Sequence, residues 1–87
     1  MHEATLMADL MRRIASIAAV DRARRITGVT VRLGALSHIS AAHFAEHFKR
    51  ASDGTVAQGA RLEVMVSDDW RDAQAQDIVL ERVEVET

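Results

Sequence analysis

The apolar residues of this chain switch between helical and strand-like spacing, and this pattern restricts the fold more than any other feature. Between residues 6 and 18 the apolar side chains recur at three- and four-residue steps, which is typical of one face of an α-helix. Residues 26–33 then alternate, with Val29, Val31 and Leu33 on one side, as in a half-buried strand. The pattern therefore predicts a helix followed by a strand.

A second helix is expected to begin at Ser40. The serine hydroxyl can cap the free N–H groups of the first turn, and Ile39 before it can pack against Phe44 inside the helix. Gly54 follows the last apolar position and suits a left-handed helix terminator. These signals delimit a helix of about three turns.

Two further strands are predicted after this helix. In residues 61–66 every second side chain is apolar, and these side chains, including Val66, are predicted to face the core. The third strand is predicted over residues 77–86. Strict alternation would place the apolar residues of its first and second halves on opposite faces, and a bulge near Glu81 and Arg82 would bring them to the same face. Between these strands, residues 67–76 are polar and are interpreted as a loop.

The predicted order is α-β-α-β-β, which is an α/β (α+β) fold with a small three-stranded mixed sheet packed against two helices. The strand-helix-strand portion predicts a right-handed crossover between two parallel strands. Residues 1–87 are expected to form one domain. A chain of this length buries only about 60 to 65% of the surface that its unfolded form exposes, so it can build one small core.

Composition excludes several functional classes. The chain has no cysteine, so disulfides, thiolate nucleophiles and cysteine-ligated zinc are excluded. Its net charge of −2 and aromatic content of 3% argue against nucleic-acid binding. No apolar run is long enough to span a membrane and no signal peptide is apparent, so we expect a cytoplasmic protein. Nucleophile-elbow and phosphate-loop motifs are absent, which argues against an enzyme.

The opening Met1-His2-Glu3 is the clearest candidate metal site. The free α-amine of Met1, the backbone amide of His2 and its imidazole can close fused chelate rings around one metal ion, and a Glu3 oxygen can complete a tetragonal site suited to Ni(II) or Cu(II). Position alone favours a second interpretation, in which these residues are a solvated tail.

Other residues carry weaker signals. His43 and His47 lie one helical turn apart and could hold a metal, but the sequence offers no recognised third carboxylate, so a surface role is favoured. His38 is interpreted as structural or solvated. Trp70 is expected to fold back onto the edge of the core in preference to anchoring a partner.

Several short motifs together resemble one family. They are the start Met1-His2-Glu3 before an amphipathic helix, the segment VRLGALS at residues 31–37, the segment GTVAQGARLEV at residues 54–64, and the acidic-apolar ending at residues 82–86. In this order they are similar to the hydrogenase-maturation nickel chaperones HypA/HybF. The resemblance implies a mixed sheet with two helices and a nickel site that includes Met1, His2 and Glu3.

The chain also departs from that family. Members carry a zinc-binding insertion with two Cys-x-x-Cys pairs between the second and third strands, whereas this chain has the short loop 67–76 and no cysteine. The resemblance thus implies a shortened member, a single nickel-binding-type domain with Ni(II) and no zinc.

Two functions follow from the resemblance. The first is a nickel-binding accessory protein for the maturation of [NiFe] hydrogenase. It would deliver Ni(II) to a maturation GTPase or to a nickel-enzyme precursor. The second is a non-catalytic interaction module or small subunit of a hydrogenase-related complex. The sequence leaves homo- or hetero-oligomer formation open, and neither function requires a membrane or nucleic acid.

Overall fold

The predicted order of elements is confirmed. The computed structural model describes the backbone of residues 2–87 and the side chains of residues 3–87. Its elements are α1 (His2–Val20), β1 (Arg25–Leu33), α2 (Ala41–Ser52), β2 (Arg61–Val66) and β3 (Ile78–Glu86). No helix in this described part is long and apolar enough to cross a membrane.

The three strands form one mixed sheet in the order β2-β1-β3. Strand β1 is central, parallel to β2 and antiparallel to β3. Thr30 pairs with Arg82 whereas Val31 pairs with Leu80, so Glu81 is the extra residue of a bulge, as predicted. A second irregularity at Thr27 was not predicted. It moves Ile26 onto the buried side, which strict alternation with Val29 would not allow.

Both helices contribute to one hydrophobic core with β1. The central strand is the most deeply buried element because it has a neighbour on each edge and helices over one face. Its inward residues Val29, Val31 and Leu33 are at most 2% exposed. The other core residues are Met7, Leu10, Ile14, Ala18, Ile26, Phe44, Phe48, Ala57 and Ile78.

Local capping fixes the ends of α2. The Ser40 hydroxyl accepts a hydrogen bond from the His43 backbone N–H at 3.1 Å, which confirms the predicted cap. At the other end Gly54 has φ +76°, the left-handed conformation expected of a glycine after a helix. Ile39 packs against the core at the helix start. These contacts fix the start and the end of the helix.

Two sequence predictions about exposure are wrong. Val66 is 63% exposed, because β2 is an edge strand and Val66 is its last residue. Trp70 is 61% exposed and does not fold back; Arg71 lies 4.8 Å from its ring centroid in a cation–π contact. Ala75, at 3% exposed, is the loop residue that enters the protein interior. A side chain this small can be buried where the loop backbone lies against Gly34.

The loop between β2 and β3 begins and ends beside the end of β1. The Ser67 N–H donates to the Leu33 carbonyl, and the Gly34 N–H donates to the Asp77 carbonyl, both at 2.9 Å. The Leu36 N–H also donates to the Ala75 carbonyl at 2.7 Å. The two ends of the loop are therefore held at one place, so a segment of different length could be accommodated there.

We predict that Gly34→Ala destabilises the protein, because an added Cβ would collide with the Ala75 carbonyl group. The cost of such overpacking is about 1–3 kcal/mol, and each kcal/mol lowers the Tm of a small domain by roughly 4–8 °C. Thermal unfolding followed by circular dichroism measures the change. Gly54→Asn is the matched control, since space is open there and Asn tolerates positive φ. An unchanged Tm for Gly34→Ala would contradict this packing.

Ion pairs cover the outer face of the sheet. Arg32 on β1 contacts Glu81 at 2.7 Å and Asp72 in the loop at 3.0 Å. The backbone N–H of Gln74 donates to Asp72 and, with Arg32, holds the pKa of Asp72 below its ordinary value of 3.8. A hydrogen bond from Arg61 similarly lowers the pKa of Glu84 below 4.5. The Arg32 contacts tie the loop and β3 to β1, and the Arg61 contact ties β3 to β2.

These lowered pKa values predict acid sensitivity. A carboxylate with a depressed folded-state pKa stabilises the fold above its unfolded-state pKa, and this contribution is lost as pH falls through the folded-state value. The urea midpoint should therefore drop as pH falls below about 4.5. Asp72→Asn removes one of these charges, so the urea midpoint of this variant should change less between pH 5 and pH 3 than that of the unsubstituted protein. Identical profiles for the two proteins would contradict the assigned role of Asp72.

Candidate metal centre

The predicted ligand Glu3 continues the buried stripe of α1. Glu3 lies one helical turn before Met7. The stripe consists of Met7, Leu10 and Ile14, and each of these three residues is at most 2% exposed. Because residues four apart share a face, Glu3 is directed toward the side of α1 that packs on the rest of the protein. Its side chain is accordingly only 20% exposed, although it lies in the first turn.

Two histidines on α2 face this carboxylate. His43 and His47 each directly precede a buried phenylalanine, Phe44 and Phe48, which are 0% and 3% exposed. The two phenyl rings stack with centroids 6.1 Å apart and fix the rotation of α2 against the core. The same rotation sets the direction of both imidazoles, since each is offset from its phenylalanine by one residue.

Glu3 connects the two helices through these rings. His47 Nδ1 lies 3.2 Å from Glu3 Oε2, within hydrogen-bonding geometry, and His43 Nε2 lies 2.9 Å from Glu3 Oε1. An ionised carboxylate has no hydrogen to give, so His47 donates its Nδ1–H. The His47 side chain is 29% exposed and that of His43 is 59% exposed. Water therefore competes more with the His43 contact.

Of the three predicted ligands, the structure describes the side chain of one. Met1 lies outside the described residues, and so does the side chain of His2, whose backbone begins α1. Within residues 3–87 no group of three His, Cys, Asp or Glu side chains could hold a metal ion. Glu3 keeps unused lone pairs, because each carboxylate oxygen carries two. It can therefore accept a hydrogen bond from His47 and still offer a lone pair to a metal ion.

Sequence reasoning missed the link between Glu3 and α2. It interpreted both histidines as surface residues, which fits His43, but His47 is half-buried against Glu3. One signal was available: Glu3 falls on the apolar stripe of α1, while the histidines are one turn apart on α2. What spacing could not show is that these two faces meet. His38, by contrast, is exposed, with φ 60° in the turn before α2.

An apolar cavity lies away from this centre. It has a volume of about 520 Å³ and lies beside the C-terminal half of α1, where Ile14, Ala18 and Val56 contribute to its wall. Among residues 3–87, Arg22 is the one charged residue that lines it. These lining residues include no carboxylate or imidazole that could bind a metal.

Comparisons with known proteins agree with this fold. The profile of the family described as "Hydrogenase/urease nickel incorporation, metallochaperone, hypA" matches residues 1–71. The hydrogenase maturation factor HypA of Archaeoglobus fulgidus is 36% identical over 66 residues, which cover 76% of this chain and 60% of that protein. The chain thus spans about three fifths of that relative's length.

A solved structure has the same fold. The solution structure of the Ni metallochaperone HypA from Helicobacter pylori superposes with a TM-score of 0.78, covering 97% of each chain at 16% sequence identity. Identity this low supports the fold alone. The profile match includes the first three residues and most of the sheet, and together with the archaeal relative it establishes the family: this chain belongs to the HypA family.

Proposed function

We propose that this protein is a nickel carrier that holds Ni(II) through the Met1 amine, His2 and Glu3 and delivers it for the maturation of [NiFe] hydrogenase. The observation that carries this proposal is the family match, which begins at residue 1 and includes all three predicted donors. The family's description names nickel incorporation into hydrogenase and urease, and the archaeal relative is named for hydrogenase maturation.

The position of Glu3 supports this site. Its carboxylate is held at the first turn of α1, one residue from His2 and two from the α-amine. Amine, amide and imidazole nitrogens with one carboxylate oxygen form a tetragonal donor set suited to Ni(II). Cu(II) binds such donors more tightly, so selectivity for nickel would depend on supply and geometry.

Delivery requires a recipient, for which we propose a maturation GTPase or a nickel-enzyme precursor. Proton uptake by the amine weakens metal binding, so the site can release nickel more readily as pH falls. We further propose that the chain does this in the cytoplasm without a cysteine-ligated zinc, with loop 67–76 in the place of the family's zinc-binding insertion.

We predict that Ni(II) binding needs the native N-terminus. In calorimetric titrations the untagged protein should bind about one equivalent, and His2→Ala should abolish this binding because it removes the imidazole from the chelate. Acetylation of the α-amine should have the same effect. Affinity of the unmodified protein should fall as the buffer is changed from pH 8 to pH 6.

His38→Asn serves as the control for loss of a histidine. It removes an exposed imidazole from a turn with positive φ, where asparagine is tolerated, and should bind nickel normally. Unchanged affinity in His2→Ala would refute the proposed site. Equal losses in His2→Ala and His38→Asn would show nonspecific binding to histidines.

An interaction module is the second candidate, and one observation favours it. Trp70 is 61% exposed in a loop next to the exposed Val66, and a large exposed aromatic is typical of a protein contact. This candidate predicts a stoichiometric complex with a hydrogenase-related protein that survives chelator treatment and His2→Ala but not Trp70→Ala. Co-purification measures it, with loss of the complex in His2→Ala favouring the nickel carrier.

A further inference from the structure

The two histidines of α2 have no role in the proposed ligand set, yet both contact its carboxylate. Their contacts come from a different helix and from residues 40 and 44 positions further along the chain. A glutamate in the first turn of a helix ordinarily has rotamer freedom and several accessible positions. Here each of its oxygens lies within 3.2 Å of an imidazole nitrogen on α2.

We propose that His47, assisted by His43, is a positioning residue that holds Glu3 in place for nickel; this inference rests on the proposed function. His47 donates its Nδ1–H to Glu3 Oε2 and restricts the carboxylate to one orientation beside the first turn of α1. Nickel then binds a carboxylate that is already ordered, so less rotamer entropy is lost on binding.

A positioning role fits the described geometry better than direct ligation by the histidines. Among residues 3–87 no three His, Cys, Asp or Glu side chains are placed to hold a metal ion together, although Glu3, His43 and His47 are in contact. The Nδ1 proton of His47 lies in hydrogen-bonding geometry to the carboxylate, and a metal bound directly to that nitrogen would have to replace it. Ligating carboxylates are themselves usually hydrogen-bonded, and loss of such an outer partner costs about 10- to 100-fold in metal affinity.

Burial predicts that the two histidines contribute unequally. The His47 side chain is 29% exposed and meets hydrogen-bond geometry, whereas that of His43 is 59% exposed. A hydrogen bond shielded from water restricts its partner more than an exposed one. His47 should therefore dominate and His43 should add a smaller effect.

Nickel titration of variants with a native N-terminus tests this. His47→Ala should weaken Ni(II) binding about 10- to 100-fold, and His43→Ala less. His47→Asn should restore most of the affinity, because the amide N–H of asparagine can replace Nδ1–H. Asparagine is a poorer helix former than alanine, so rescue cannot come from a more stable α2. His38→Asn is the matched control and should leave the affinity unchanged.

Absorption spectra separate positioning from ligation. The nickel d–d bands of His47→Ala, measured at saturating nickel, should match those of the unsubstituted protein, because the ligands are the same. A changed spectrum would overturn the inference by making His47 a ligand. Unchanged affinity in His47→Ala, or failure of His47→Asn to rescue, would also overturn it. The proposed function would stand in each case if His2→Ala still abolishes binding.

A measurement without metal tests the contact itself. Nitrogen-15 NMR of the imidazole rings in alkaline buffer should show the proton of His47 on Nδ1, since the hydrogen-bond partner sets the tautomer. In Glu3→Ala, which removes the acceptor, this preference should be lost. If the proton of His47 is found on Nε2 in the unsubstituted protein, the inference is overturned. No nickel binding by that protein would overturn the proposed function and, with it, the positioning role.

Discussion

Packing of two helices against the buried face of strand β1 is the constraint on which the structure depends. Val29, Val31 and Leu33 provide a continuous apolar surface in the middle of the sheet. α1 covers the side of this surface toward β3 and α2 covers the side toward β2, and the helices contact each other. In a chain this short there is one core, so the relative placement of the helices is determined by it.

That placement brings chemical groups from distant parts of the sequence together. The buried stripe of α1 begins one turn after Glu3, and the buried phenylalanines of α2 each follow a histidine. When the apolar faces pack, the carboxylate necessarily comes to the imidazoles. The same contacts that stabilise the fold therefore order a residue at the start of the chain, where helix ends ordinarily fray. We regard this coupling as the basis of the proposed metal site.

Local patterns predicted much of this architecture. Helix α1, the Ser40 cap and the Glu81 bulge depend on neighbouring residues, so periodicity and capping rules were sufficient. The exposure of Val66 and Trp70 was predicted incorrectly, because it depends on which parts of the edge strand and of the loop are covered by other elements. The alternation of apolar and polar residues along a strand does not show which surfaces are covered.

The candidate site was only partly predictable for the same reason. Glu3 could be proposed as a ligand from its place beside His2 and from the family resemblance. Its contact with His47 joins residues 44 positions apart, and no local rule relates them. Periodicity assigned each residue to a helix face, but which faces meet is decided by the packing of Phe44, Phe48 and Met7 in the core.

The most direct test is a crystal structure of the nickel-loaded, untagged protein with anomalous scattering measured at the nickel edge. We expect one peak at the first turn of α1, bonded to the Met1 amine, His2 and a Glu3 oxygen, with the His47 ring still hydrogen-bonded to the other oxygen. A peak bonded to His43 and His47 and remote from the α-amine would contradict it.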